Sequence, residues 1–321
     1  MKVLITGGAG FIGSHLTRTL LAAGHSVAVI DDLSTGSIDN IIPFQDNPHY
    51  RFVKGDILAA DELDELVADS DAVFHLAAAV GVELVVHDPV RTILTNVQGT
   101  ERVLTAATKH NKRVILASTS EVYGKSEKDF FAETDDLLIG PSTHSRWSYA
   151  CSKLMDEFLL MAYFRDRGLR GTVVRFFNTV GPGQTGRYGM VIPRFVAAAL
   201  AGEPLKVFGT GEQTRCFCHV ADVVRALMLL LDNPGSHGEI FNIGSTEKVT
   251  IRQLAEFVIR ELNSSSKIDV IPYDQAYANG FEDMLHRAPD CSKLHALTGW
   301  QAEIPLKQII ADVAASLHKN A

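Results

Sequence analysis

The chain is predicted to be an α/β protein, a doubly wound parallel sheet with a smaller, interleaved C-terminal domain for substrate. Three observations lead there. Short Val- and Ile-rich runs alternate with amphipathic stretches through the first half, and a glycine-rich turn follows the first run directly. After about residue 176 the alternation gives way to glycine- and proline-rich loops. Short buried strands separated by helices indicate βαβ units, whose parallel sheet is covered on both faces.

Taken in order, strands are expected at 2–6, 27–31, 51–54, 72–76, 113–118 and 171–176. Amphipathic stretches at 11–23, 60–67, 90–109 and 149–167 fit the helices between them. Glycine and proline then cluster in 178–189, followed by a helix pattern at 192–201 and a Gly-rich turn at 208–211. A further helix at 220–231 leads to a short strand at 239–243. The expected division is a dinucleotide-binding domain over 1–176, completed by about 220–243, with 177–321 mainly binding substrate. Long loops at the carboxyl ends of parallel strands commonly build a ligand site.

The 321 residues suffice for such a pair of domains. A net charge of -8 argues against nucleic-acid and anionic-membrane partners, which reward clustered Lys and Arg. No stretch approaches transmembrane length, and the apolar run before Gly7 is too short for a signal-peptide core. Cys151, Cys216, Cys218 and Cys291 lack metal-ligand spacing, so no metal is expected. Cys216 and Cys218, one residue apart in a strand-like stretch, are expected to face the same side. Reduced thiols fit a cytoplasmic protein.

The first strand runs into Gly7-Gly8-Ala9-Gly10-Phe11-Ile12-Gly13 and then a helix. This is the Rossmann arrangement for a dinucleotide: small residues let the backbone approach the pyrophosphate, whose charge sits at the helix N-terminus. Asp31 ends the second strand 18 residues beyond Gly13. A carboxylate there accepts hydrogen bonds from the adenosine ribose and repels a 2′-phosphate, so NAD is expected over NADP. Asp56 follows the third strand and is a candidate neighbour of the adenine.

Tyr149 and Lys153 stand four apart at the start of a helical pattern, on one face. A phenol with an ordinary pKa near 10 is a poor base at neutral pH, but a nearby ammonium and a positive nicotinamide ring favour phenolate. In a doubly wound sheet this helix face converges with the end of the fifth strand, Ser118-Thr119-Ser120-Glu121, beside the nicotinamide.

With these motifs together, the sequence resembles the extended short-chain dehydrogenase/reductase family, in its group of nucleotide-sugar epimerases, dehydratases and decarboxylases. The resemblance runs from the glycine turn through His75-Leu76-Ala77-Ala78, Asn96, Tyr149/Lys153 and Arg175-Phe176-Phe177-Asn178 to Arg215 and Arg287. It implies that NAD is held by Gly7, Gly10, Phe11, Ile12, Gly13, Asp31, Asp32, Leu33, Ser34, Thr35, Gly36, Asp56 and Ile57. Leu76, Ala77, Ala78, Asn96, Tyr149, Lys153 and Phe177 complete that set. The nucleotide diphosphate of a UDP-sugar falls to Asn178, Val191, Val207, Phe208, Arg215 and Arg287, whose forked guanidinium donors suit a pyrophosphate. The implied chemistry is transient oxidation at sugar carbon 4, with Tyr149 as base, Thr119 holding the same hydroxyl, and NAD recycled. The resemblance also implies a homodimer built on the helices at 90–109 and 149–167.

The branches of the group differ in what befalls the ketone. Dehydratases carry Thr-Asp-Glu at the fifth-strand end, and Ser120 is a much weaker acid than that aspartate. Thr119-Ser120-Glu121, Gly140-Pro141, Arg146-Trp147-Ser148-Tyr149 and His286-Arg287-Ala288-Pro289 resemble UDP-glucuronate decarboxylases. Those enzymes also use a tyrosine before an Asn-Pro pair to meet the sugar carboxylate. Here Val85 takes its place, and Glu83 nearby would repel a carboxylate. A 4-epimerase needs neither device, although epimerases usually carry a small residue where Glu121 stands. The resulting order is UDP-glucose 4-epimerase-like first, decarboxylase second and 4,6-dehydratase third. An NAD-binding regulator without turnover is a further reading, which the retention of Thr119, Tyr149 and Lys153 disfavours.

Overall fold

The computed structural model describes residues 1–321 apart from 60, 80–87, 187–189, 277–283 and 320–321. Val85 and Glu83 lie outside the described residues. The N-terminal part alternates β1 (Lys2–Thr6), α1 (Phe11–Ala22), β2 (Ser26–Asp31), β3 (Tyr50–Lys54), α2 (Glu62–Asp69), β4 (Ala72–His75), α3 (Pro89–Lys109), β5 (Arg113–Thr119), α4 (Trp147–Arg167) and β6 (Gly171–Phe176). The C-terminal part adds β7 (Thr179–Val180), α5 (Val191–Ala201), β8 (Leu205–Phe208), β9 (Thr214–Arg215), β10 (Cys218–His219), α6 (Val220–Leu231) and β11 (Glu239–Ile243). It continues with β12 (Val249–Thr250), α7 (Ile251–Glu261), β13 (Ile268–Ile271), α8 (Tyr273–Ala276), α9 (Ser292–Thr298) and α10 (Leu306–Lys319).

Seven strands form one parallel sheet in the order β11-β6-β5-β4-β1-β2-β3. Period-two alternation along β1 explains its two layers. Val3 and Ile5 enter a core with Leu16 and Leu20 of α1 and Val223 and Leu227 of α6. Leu4, between them, enters the opposite core with Leu63 of α2, Val103 of α3 and Leu160 of α4. The strand order reverses between β1 and β4, and the loops leaving their carboxyl ends open the crevice where such sheets bind ligands.

Local chemistry sets where the long helices begin and end. Asp88 caps α3, its carboxylate accepting from Arg91 N at 3.1 Å, with Pro89 in the first turn. Gly168 ends α4 in the left-handed region at φ 68°. α7 starts with a reciprocal Thr250–Gln253 capping box.

The chain leaves the sheet after β6 and returns to it with β11, which pairs with β6 in parallel. Between and beyond, α5, α7 and α10 bury a separate core containing Phe195, Val207, Leu254 and Ile309, flanked by the pairs β8–β13 and β9–β12. Cys216 and Cys218 do not share a surrounding. Cys218 joins the α6 side of the sheet core, while Cys216 sits with Phe131 and Phe177, because the chain between β9 and β10 is not a continuous strand. Among the described residues no helix is long and apolar enough to cross a membrane.

Candidate active site

The turn between β1 and α1 is shaped by what its glycines permit. Gly7 has φ 74°, and a Cβ there would lie 2.6 Å from Ala77 N in the loop after β4. A Cβ on Gly13 would lie 2.6 Å from Gly7 O, so α1 packs directly on the turn. Gly10 caps α1 without a side-chain oxygen, leaving the helix's first amides as an anion site. These features fit a dinucleotide pyrophosphate.

Asp31 is buried at the end of β2, where Oδ2 accepts from Ala9 N at 2.9 Å and Oδ1 from Leu33 N at 2.8 Å. Burial pushes its carboxyl up, and the two amides pull it down. It thus ties the glycine turn to the chain after β2, where Leu33 adopts φ 62°. Asp32, Ser34 and Thr35 are exposed beyond it, with Gly36 close against Ala9. Asp56 is exposed and accepts from Leu58 N at 2.8 Å, while Ile57 is buried against Gly99 of α3. Leu76, Ala77 and Ala78 leave β4 half-buried. Asn96 is buried and shapes that exit: Oδ1 accepts from Ala79 N at 2.8 Å, and Nδ2 donates to Ser152 Oγ at 2.9 Å. Phe177 is fully buried, its ring 5.9 Å from Tyr123 between centroids.

The strand end and the helix face do meet. Thr119 closes β5, and its hydroxyl hydrogen-bonds Tyr149 at the start of α4. Burial, then the carboxylates of Glu121 and Asp156, push the Tyr149 phenol above the ordinary tyrosine range; the Thr119 bond and Arg287 pull it down. Lys153 lies one turn on and is buried. Ser120 is buried and Glu121 half-buried in the turn that follows β5. Glu121 Oε1 pairs with Arg287 Nη1 at 3.2 Å, and Arg287 Nη2 also donates to Asn178 Oδ1.

Next to this group opens a cleft lined by Asn178, Val191, Phe208, Gln213, Arg215 and Arg287. Asn178 holds φ 38° and donates through Nδ2 to Cys216 O at 2.7 Å. Arg215 donates through Nη1 to the Thr214 and Met284 carbonyls at 2.8 and 2.9 Å. Val207 is the exception among the expected substrate residues. It is fully buried in the α5–α7 core, because alternation along β8 turns it away from the side that Phe208 presents.

Comparison with known proteins agrees with this arrangement. The NAD dependent epimerase/dehydratase family model matches residues 3–244. The chain belongs to that family. The chain is similar to the UDP-N-acetyl-alpha-D-glucosaminuronate decarboxylase of Bacillus cytotoxicus, 42% identical over 96% of this chain and 94% of the relative. UDP-glucuronic acid decarboxylase 4 of Arabidopsis thaliana is 36% identical over 96% of this chain and 66% of its own length. Among solved structures, UDP-glucose 4-epimerase of Thermotoga maritima superposes with a TM-score of 0.89 at 30% identity, covering 100% of this chain and 99% of that one. The family is NAD-dependent.

Some of the surroundings have no counterpart in the sequence reading. Lys153 Nζ donates to Asp156 Oδ2 at 2.7 Å, and both side chains are buried. Below them Glu157 receives Arg175 in a two-pronged pair, at 3.0 Å from Nε and 2.7 Å from Nη2, and also accepts from Ser118 Oγ. A carboxylate at i+3 from Lys153 was the available signal for the first; nothing local marks the second.

Proposed function

We propose that this enzyme decarboxylates a UDP-hexuronate through a transient 4-ketone. The observation that carries the reading is the similarity to the Bacillus cytotoxicus decarboxylase over nearly all of both chains. The Arabidopsis relative points the same way, and so does the Thr119-Ser120-Glu121 run facing Arg287. Sequence reasoning ranked 4-epimerisation first; the names of the relatives favour the decarboxylase that it ranked second.

NAD, when bound, supplies the hydride acceptor and donor for sugar carbon 4. Tyr149 takes the 4-hydroxyl proton, with Thr119 holding that hydroxyl in place and Lys153 stabilising the phenolate. Oxidation at carbon 4 turns the uronate into a β-keto acid. The carbon 5–carboxyl bond then breaks, carbon dioxide leaves, and its electron pair passes into the new carbonyl. The resulting enolate takes a proton at carbon 5 before carbon 4 is reduced again. Arg287 offers a guanidinium for the carboxylate or the developing oxyanion, and Glu121, which holds Arg287 at 3.2 Å, sets its position. Arg215 and Asn178 face the nucleotide diphosphate.

A second reading, 4-epimerisation, is favoured by the Thermotoga structure. UDP-glucuronate, UDP-N-acetylglucosaminuronate, UDP-glucose and UDP-galactose incubated with the enzyme and followed by NMR distinguish the two. Carbon dioxide and a UDP-pentose from a uronate are expected. Interconversion of 4-epimers without carbon dioxide overturns the proposal.

The assembly proposed for this member is a homodimer. Val90, Ile93 and Leu94 of α3, with Met155 and Phe158 of α4, form an exposed apolar surface on two adjacent helices, Phe158 at 61% exposure. Sedimentation of the wild type is expected to show a dimer and of Phe158→Lys a monomer. A monomeric wild type at micromolar concentration removes the proposal.

A further inference from the structure

Lys153 is an ammonium buried to 3% exposure in the heart of the fold, and a lone charge there is unfavourable unless paired. Its partner is Asp156, one helical turn on, at 2.7 Å. Asp156 is itself held from behind. The Thr100 hydroxyl of α3 hydrogen-bonds its carboxylate. Thr100 Oγ1 lies 3.1 Å from His75 Nε2 on β4, and His75 Nδ1 lies 2.7 Å from Thr6 Oγ1, the last residue of β1. All five side chains are buried.

One tautomer gives this chain a single direction, with Asp156 Oδ1 left without a hydrogen-bond partner among the described residues. Thr6 Oγ1 accepts from Ala77 N at 3.3 Å and donates to His75 Nδ1. His75 then donates from Nε2 to Thr100, and Thr100 donates to Asp156, which also accepts from Lys153. His75 must be neutral for this, and burial, followed by the nearby Lys153 charge, pulls its pKa down to about 3. The chain therefore starts beside Gly7 of the dinucleotide turn and ends on the amine that serves Tyr149.

We infer that Asp156 is a positioning residue for the reaction, held by the Thr6–His75–Thr100 chain, that fixes the Lys153 ammonium in place one helical turn from Tyr149. The inference goes beyond the choice of sugar, because it concerns the pair common to every branch of the chemistry. Asp156 has two opposed effects on the phenol. Its charge repels a phenolate directly, but Tyr149 and Asp156 are seven residues apart, about 10 Å along the helix axis. Its 2.7 Å contact with Lys153 acts the other way, by fixing the ammonium one helical turn from the phenol. The other charged groups around the pair do not replace it. Glu157 is committed to Arg175 of β6, Glu121 to Arg287, and His75 is neutral.

The test needs no sugar substrate. Tyrosines labelled with ¹³C at Cζ are titrated by NMR in the NAD-bound protein, with Tyr149 assigned through Tyr149→Phe. Asp156→Asn is expected to move the Tyr149 midpoint to higher pH by one unit or more, a tenfold weaker acid, and Asp156→Glu to restore most of it. A midpoint that stays put, or falls, overturns the inference, since the first marks a purely structural role and the second a repelling charge alone. If Asp156→Asn does not fold, ¹⁵Nζ spectra of wild-type Lys153 decide. An ammonium exchanging protons slowly between pH 6 and 9 supports the inference, and one exchanging like surface lysines contradicts it.

Discussion

Tyr149→Phe is expected to lower turnover by about two to four orders of magnitude, the range for loss of a positioned acid–base group. The change removes one oxygen from a half-buried side chain at the start of α4, so the fold and the glycine turn are untouched. NAD affinity by titration calorimetry is accordingly expected to stay within a few-fold of wild type. The distinction matters because Thr119, Glu121, Arg287 and Asp156 all act on this one phenol. A variant retaining a tenth or more of wild-type turnover would remove Tyr149 from the chemistry and leave the strand-end geometry without a purpose.

The second large effect is on stability. Arg175→Leu is expected to lower unfolding free energy by about 3–5 kcal/mol, the cost of leaving one half of a buried ion pair alone. Arg175 and Glu157 are 3% and 4% exposed, joined at 2.7 Å, and Glu157 also receives the Ser118 hydroxyl. Arg175 further lies 4.8 Å over the Tyr123 ring, which stacks on Phe131. The network ties α4 to β5 and β6 one helical turn beyond Lys153. Urea unfolding followed by circular dichroism measures the loss; a change below 1 kcal/mol would mean the pair is neutral to the fold.

Much of the fold was legible because its elements are written locally. Alternation along β1 and the glycine turn after it are short-range signals with a physical cause at each residue, and the turn's close contact with Ala77 bears out its small side chains. The Tyr149–Lys153 spacing likewise placed both groups on one face of α4, and the sheet order brought that face to Thr119. What local pattern does not encode is which distant partner a buried charge finds. Arg175 reads as part of a motif, yet nothing near it in the sequence says that its guanidinium pairs with Glu157. Val207 shows the same limit on a small scale: one residue's step along β8 separates a core position from the cleft that Phe208 lines. The fate of the ketone is less legible still, because it depends on how Ser120, Glu121 and Arg287, 166 residues apart in the case of the last two, act on one carbon.

The most direct measurement uses a UDP-hexuronate carrying deuterium at carbon 4, incubated with the enzyme and NAD in ordinary water. Transient oxidation with return of the same hydride predicts release of carbon dioxide and a UDP-pentose that keeps its deuterium at carbon 4. A product that has exchanged that deuterium for hydrogen, or a 4-epimer formed with its carboxylate intact, would contradict the account.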